Sequence, residues 1–294
     1  MATLGDRDLK ALLAAAIHAT DVVPALSVVD SADQFQRRRR APALQWRCQC
    51  APAGRLVMLL LDIGNTRLKW AQAEAGQLGP VHAVAHAGDP VAALHALPPV
   101  NAPVWLASVL DANLNTQVLA TLKRQYGVGV HQAKAQSECL GLRSGYQQPH
   151  RLGVDRWLAM LGLWHQHRAA FCVVSAGTAL TFDAVDGDGQ HLGGLIAPGI
   201  RAMERATLGN TRFETQVLPE PDAPALGADT EHCVAQGALH AALGLIDRAA
   251  AGVGGARYLS GGDAPVLAPH LTGDWITCPH SVLDGLLAVA AQAD

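Results

Sequence analysis

One order of residues occurs twice in this chain: an apolar strand, a small or acidic residue, a glycine, then small polar residues. Met58 to Trp70 reads MLLLDIGNTRLKW and Phe171 to Asp183 reads FCVVSAGTALTFD. The two copies keep one spacing. Asp62 falls on Ser175, Gly64 on Gly177, Asn65 on Thr178 and the pair Gly76-Gln77 on Gly189-Gln190, each 113 positions further on. A duplicated domain with a glycine loop from each half explains this better than a chance match in a glycine-rich chain.

The first copy has the layout of a phosphate site. Four apolar residues, Met58 to Leu61, are too few for an ordinary helix and suit a strand covered on both faces. Asp62 at the strand's end offers a carboxylate for a hydrated metal ion. Gly64 has no Cβ and lets the backbone approach a phosphate closely. Asn65, Thr66 and Lys69 add donors that a polyphosphate needs. The plainer alternative for the same residues is a β-hairpin with Gly64-Asn65 in its turn.

A formal net charge of −3 over 294 residues gives no reason to expect binding to nucleic acid or to an anionic membrane. The apolar runs fall short of a membrane span, and Asp6, Arg7, Asp8 and Lys10 stand where a signal peptide would place its apolar region. A cytoplasmic protein is expected. Half the residues are hydrophobic, enough for a core built from Ala, Leu and Val. Cys48, Cys50, Cys139, Cys172, Cys233 and Cys278 include one close pair without a partner pair, and read as reduced thiols. The scattered histidines form no metal pattern.

Residues 1–57 differ in character from the rest of the chain. The run Arg37 to Arg40 and its neighbours have no strand or helix period, and Met58 stands at the head of the phosphate-loop strand as a start codon would. The segment is read as a disordered extension or an over-extended reading frame. Residues 58–165 and 166–294 are then the two domains. In the first, strands at 58–61, 68–74, 81–85 and 104–109 and helices at 91–97 and 113–126 are expected.

The stretch GYQQPHRLGVDRW holds Asp155 at the start of an apolar-striped segment with Trp157, Leu158, Leu161 and Trp164 on one side. Asp155 there is either a helix N-cap or a general base that takes a proton from a substrate hydroxyl. Arg156 is a candidate clamp for an anionic substrate, or one half of a surface ion pair. Tyr146 lines the same pocket or belongs to the core. Thr230 precedes a long helix to Ala250 and has the N-cap as its plainer role. Leu259 to Asp263, LSGGD, ends a strand with two glycines on which a flat base or ribose can lie, or which simply make a tight turn.

Taken in order, DIGNTRLKW, GYQQPHRLGVDRW, SAGTALTFD with HLGGLIAPG, ADTEHCVAQGAL and LSGGDA resemble the type III pantothenate kinases of bacterial coenzyme A synthesis, from Met58 to about Asp294. The resemblance implies an α/β fold of duplicated ribonuclease H-like, actin-like ATPase domains, each a mixed sheet flanked by helices. It implies ATP-dependent phosphorylation of pantothenate by a homodimer whose substrate pocket lies near the subunit interface. It also implies that Asp62, Ile63, Gly64, Asn65, Thr66, Arg67, Leu68 and Lys69 hold the ATP phosphates and Mg²⁺, the ion through water on Asp62, with Thr178 as a further ATP contact. Tyr146, Gly153, Val154, Asp155, Arg156 and Thr230 would bind pantothenate, Asp155 accepting the proton of its terminal hydroxyl. One departure stands out. The family usually has aspartate where this chain has Ser175, and that aspartate ligates the activating K⁺ or NH₄⁺. Two alternatives remain beside this kinase: a related small-molecule kinase with another acceptor, and an accessory protein that keeps the fold and binds a partner.

Overall fold

A computed structural model describes residues 57–127, 129–211, 218–220 and 223–293. The expectation for the N-terminal extension lies outside them, except that Val57 already belongs to the first strand. β1 (Val57–Ile63) turns back into the antiparallel β2 (Arg67–Glu74). β3 (Gln77–Leu78) and β4 (His82–Ala85) both pair with β2, as two pieces of one interrupted strand. The short α1 (Pro90–Ala93) leads to β5 (Val104–Ser108), parallel to β1, and α2 (Ala112–Tyr126) leads to β6 (Val130–Gln132). A small hairpin of β7 (Glu138–Cys139) and β8 (Leu142–Arg143) precedes α3 (Val154–His167).

The second half starts over with β9 (Phe171–Ala176), β10 (Ala179–Val185) and β11 (His191–Pro198), an antiparallel run in which β10 pairs with both others. Then come α4 (Ile200–Gly209), α5 (Thr230–Ala251), β12 (Ala256–Ser260), α6 (Ala264–Leu267), β13 (Trp275–Thr277) and α7 (Ser281–Ala290). The sheets run β3-β2-β1-β5-β6, with β4 also on β2, and β11-β10-β9-β12-β13. With β3 and β4 counted as one strand, each half reads third, second, first, fourth, fifth, which is the duplicated ribonuclease H-like topology. The turns repeat as well: Gly76 and Gly189 both have positive φ, 73° and 79°, which glycine adopts without strain.

Strand alternation sorts the apolar residues into three layers. Leu59, Leu61 and Ile63 of β1 pack outward beneath α1 and α2. Cys172, Val174 and Ala176 of β9 pack outward against α4, α5 and α6. Met58 and Leu60 of the first sheet and Phe171 and Val173 of the second face inward onto one shared core with α3 and α7. α3 is buried continuously from Arg156 to Trp164, as expected of a helix that is apolar nearly all round and enclosed on every side. The same alternation puts Asp62 and Ser175, each one residue before its strand's end, on the inward faces.

α7 crosses α3 and also touches β1, β2, β3 and β5, so the last helix of the chain packs on its first sheet. Glycines permit that crossing. A Cβ on Gly162 would lie 2.7 Å from the Ser281 carbonyl oxygen, and one on Gly285 would overlap the Leu158 carbonyl. Asp284 is caught in this contact, and burial pushes its carboxyl up to about 7 despite a hydrogen bond from Gln166. Between about pH 4 and 7 the folded chain therefore keeps a proton that the unfolded chain has lost, and stability falls as pH rises through that window. Asp284→Asn should raise stability by on the order of 2 kcal/mol at pH 8 after allowance for partial solvation, with the gain shrinking toward pH 5. Urea unfolding at the two pH values checks this.

Candidate active site

The first loop is both a hairpin turn and a glycine loop, so the two readings of Gly64-Asn65 do not compete. Gly64 N–H donates to the Arg67 carbonyl at 3.0 Å, and in the second loop Gly177 N–H donates to the Ala179 carbonyl, one residue nearer, at 3.0 Å. The loops meet at their tips, where the hydroxyls of Thr66 and Thr178 lie 2.7 Å apart. Asn65, Thr66, Arg67 and Thr178 are exposed, whereas Ile63 and Leu68 are core residues whose contribution to a ligand would come through backbone.

Asp62 pairs across the hairpin with Lys69. Enough protein surrounds Asp62 that desolvation pushes its carboxyl up to about 6, with Lys69 pulling it down and the charge of Asp155 raising it further. Asp155, on the first turn of α3, is thus close enough for its charge to act on Asp62. The Asp155 carboxyl is raised too, first by burial, against the bond from Arg156 N–H and the Arg156 charge. Asp155 is not the N-cap: Gly153 holds that position, without a side-chain bond, and Asp155 Oδ1 accepts from the next backbone N–H at 2.8 Å. A Cβ on Gly153 would come within 2.7 Å of that oxygen, so the glycine leaves room for the carboxylate. The alternative N-cap role of Thr230 is ruled out in the same way. Asp229, not Thr230, caps α5 by accepting from His232 N–H at 2.8 Å.

Arg156 is committed from behind. It is 6% exposed, with Nε at 2.8 Å and Nη2 at 2.6 Å from the two oxygens of Asp183, while Nη1 donates to the Tyr146 hydroxyl at 2.9 Å. Burial works against the guanidinium charge, and Asp183 and Tyr146 outweigh it. One N–H on each Nη is left for a ligand. His191, 1% exposed, donates from Nε2 to Asp183 Oδ1 at 3.0 Å, because Gly145 N–H occupies its Nδ1 at 3.4 Å. Its ring stacks on Tyr146. Tyr146, Gln147, Gln148 and Arg151 line a cavity of about 400 Å³. Thr230 sits exposed at the start of α5 and shares no hydrogen bond with this group among the described residues. In LSGGD the two glycines differ. Gly261, at φ 100°, is pressed against Ala176 backbone, while Gly262 faces open space.

The family profile described as "Type III pantothenate kinase" matches residues 58–252. The chain belongs to the type III pantothenate kinase family. Curated members from Halorhodospira halophila and Laribacter hongkongensis are 37% and 35% identical to it over 243 and 247 residues. Those alignments cover 78% and 81% of this chain and 96% and 100% of the relatives. A solved structure from Campylobacter jejuni, described as a Baf family transcriptional activator, shares the fold with a TM-score of 0.53 at 21% identity, over 80% of this chain and 98% of that one.

Sequence reasoning assigned this kinase no role for Asp183, His191 or His86. A charged residue inside the apolar strand Ala179–Val185 was the available signal for Asp183, since a buried carboxylate needs a partner. Its inward position, alternating with outward Leu180, Phe182 and Ala184, aims it at α3.

Proposed function

We propose that the enzyme transfers the γ-phosphoryl group of ATP to pantothenate, giving 4′-phosphopantothenate and ADP at the first step of coenzyme A synthesis. The meeting of the two glycine loops at Thr66 and Thr178, with Asp62 at the head of the first and within reach of the Asp155 charge, carries this reading. A loop from each half suits a polyphosphate, and the cavity beside Tyr146 suits a small polar acceptor. Asp155 takes the proton of the acceptor's terminal hydroxyl as that oxygen bonds to the γ-phosphorus and the bond to ADP breaks; the proton then passes to solvent. Phosphoryl transfer asks little covalent chemistry of a protein, so positioning supplies most of the acceleration. Asp183 and His191 serve it by fixing Arg156 and Tyr146.

Magnesium fits the residues present. The charge of Asp155 raises the affinity of Asp62 for protons, a repulsion between carboxylates that a divalent cation relieves. Mg²⁺ commonly uses one or two carboxylates with waters and substrate phosphates. Among the described residues no group of three or more His, Cys, Asp and Glu forms, which suits that arrangement rather than a protein cage. Bound on Asp62 through water, the ion would neutralise charge on the transferring group. A monovalent cation does not fit equally well, because Ser175 presents a neutral hydroxyl where Asp62 presents a carboxylate. A homodimer completes the reading, supported by an apolar edge: Leu192 and Ile196 of the outermost strand β11 are 61% and 65% exposed.

Pantothenate-dependent ADP release from Mg-ATP, with and without K⁺, tests this on protein whose mass is measured by light scattering. Release in both conditions from a dimer is expected. Release only with K⁺ would show that carbonyls alone sustain a cation site, and no release from folded protein would remove the kinase reading.

A further inference from the structure

We infer that His86 is the positioning residue that holds the first glycine loop in its phosphate-receiving shape, an inference resting on the ATP reading of that loop. His86 follows β4 and is 6% exposed. Ala87 and Gly88, at φ 46° and 91°, turn the chain back so that Gly88 N–H donates to His86 Nδ1 at 3.3 Å. That bond leaves the ring proton on Nε2, which donates to the Gly64 carbonyl at 2.9 Å. The backbone N–H of His86 donates to the Thr66 carbonyl at 3.1 Å, so one residue grips the loop at two carbonyls.

The orientation has a chemical consequence. The Gly64–Asn65 peptide is trans and planar, so its C=O and N–H point to opposite sides. Drawing the carbonyl onto His86 turns the Asn65 N–H away from it, and that N–H has no partner among the described residues. An oriented, unpaired amide in a glycine loop is a donor for a phosphate oxygen. A histidine that merely closed its own turn would need the Gly88 bond alone.

Two substitutions separate the bonds. His86→Asn can still accept from Gly88 N–H but is too short to reach Gly64, whereas His86→Gln can present an amide N–H to Gly64. We expect Asn to raise the KM for ATP about tenfold, the usual worth of one hydrogen bond near a charged ligand, and to leave the KM for pantothenate unchanged. Gln should restore most of the ATP KM. Thermal melting of each variant shows whether it is folded, and Asp62→Asn serves as the control. Equal ATP KM values for Asn, Gln and wild type, with Asp62→Asn impaired, would overturn the role of His86. An unimpaired Asp62→Asn would instead remove the reading of the loop.

Discussion

Asp155→Asn will give a folded protein that binds ATP and turns over at least ~10²-fold more slowly. The substitution keeps the shape of the side chain and its Oδ1 acceptor, so the bond from Arg156 N–H at 2.8 Å survives. What it removes is the capacity to take a proton. Burial raises the carboxyl from its ordinary value, which makes it a stronger base than an exposed aspartate. Stability should change little, because the loss of a negative charge at a helix start, about 0.3–1 kcal/mol, is offset by relief of desolvation and of repulsion from Asp62. The kinetic signature is a fall in kcat with the KM for both substrates nearly unchanged, as for a group acting in the transition state. Near-normal turnover would end its assignment as base and return it to a purely structural place on α3.

The spacing of two glycine loops made the duplication legible because loop chemistry is local: a strand end, a glycine and donors are written in consecutive residues. The two sheets with matching order followed from that. Pairings between distant elements were not legible. The C-terminal helix Ser281–Ala290 is apolar on most sides, and its partner α3 lies more than a hundred residues earlier, joined through Gly162 and Gly285. Strands such as Val130–Gln132 and Trp275–Thr277 are too short to have a period and exist because a parallel neighbour supplies their hydrogen bonds. Asp155 and Thr230 were each plausible caps by residue type, and the backbone instead places Gly153 and Asp229 at the boundary. His86 gave no signal at all, since its two loop carbonyls belong to Gly64 and Thr66 on another strand turn.

Asp183→Ala should cost about 3–5 kcal/mol of folding stability, the usual penalty for leaving a buried charge without its partner. Asp183 and Arg156 are 1% and 6% exposed and joined by two parallel bonds, so Arg156 would be left charged and dry. His191 would lose the acceptor for its Nε2 proton as well. Because the pair also holds Tyr146 through Nη1, the variant that remains folded should show a raised KM for pantothenate with the KM for ATP little changed. Gly194→Ala attacks the same pair from the opposite strand: a methyl there would overlap Asp183 Oδ1 and the Phe182 carbonyl and crowd Arg156 Nη2. It keeps every charged group, so a shared phenotype in the two variants would trace the effect to the geometry of Arg156 rather than to net charge. Denaturant unfolding and the two KM values decide it. If Asp183→Ala lost stability but kept its pantothenate KM, the buried pair would be a fold element alone, and Tyr146 would hold its place through its stack on His191.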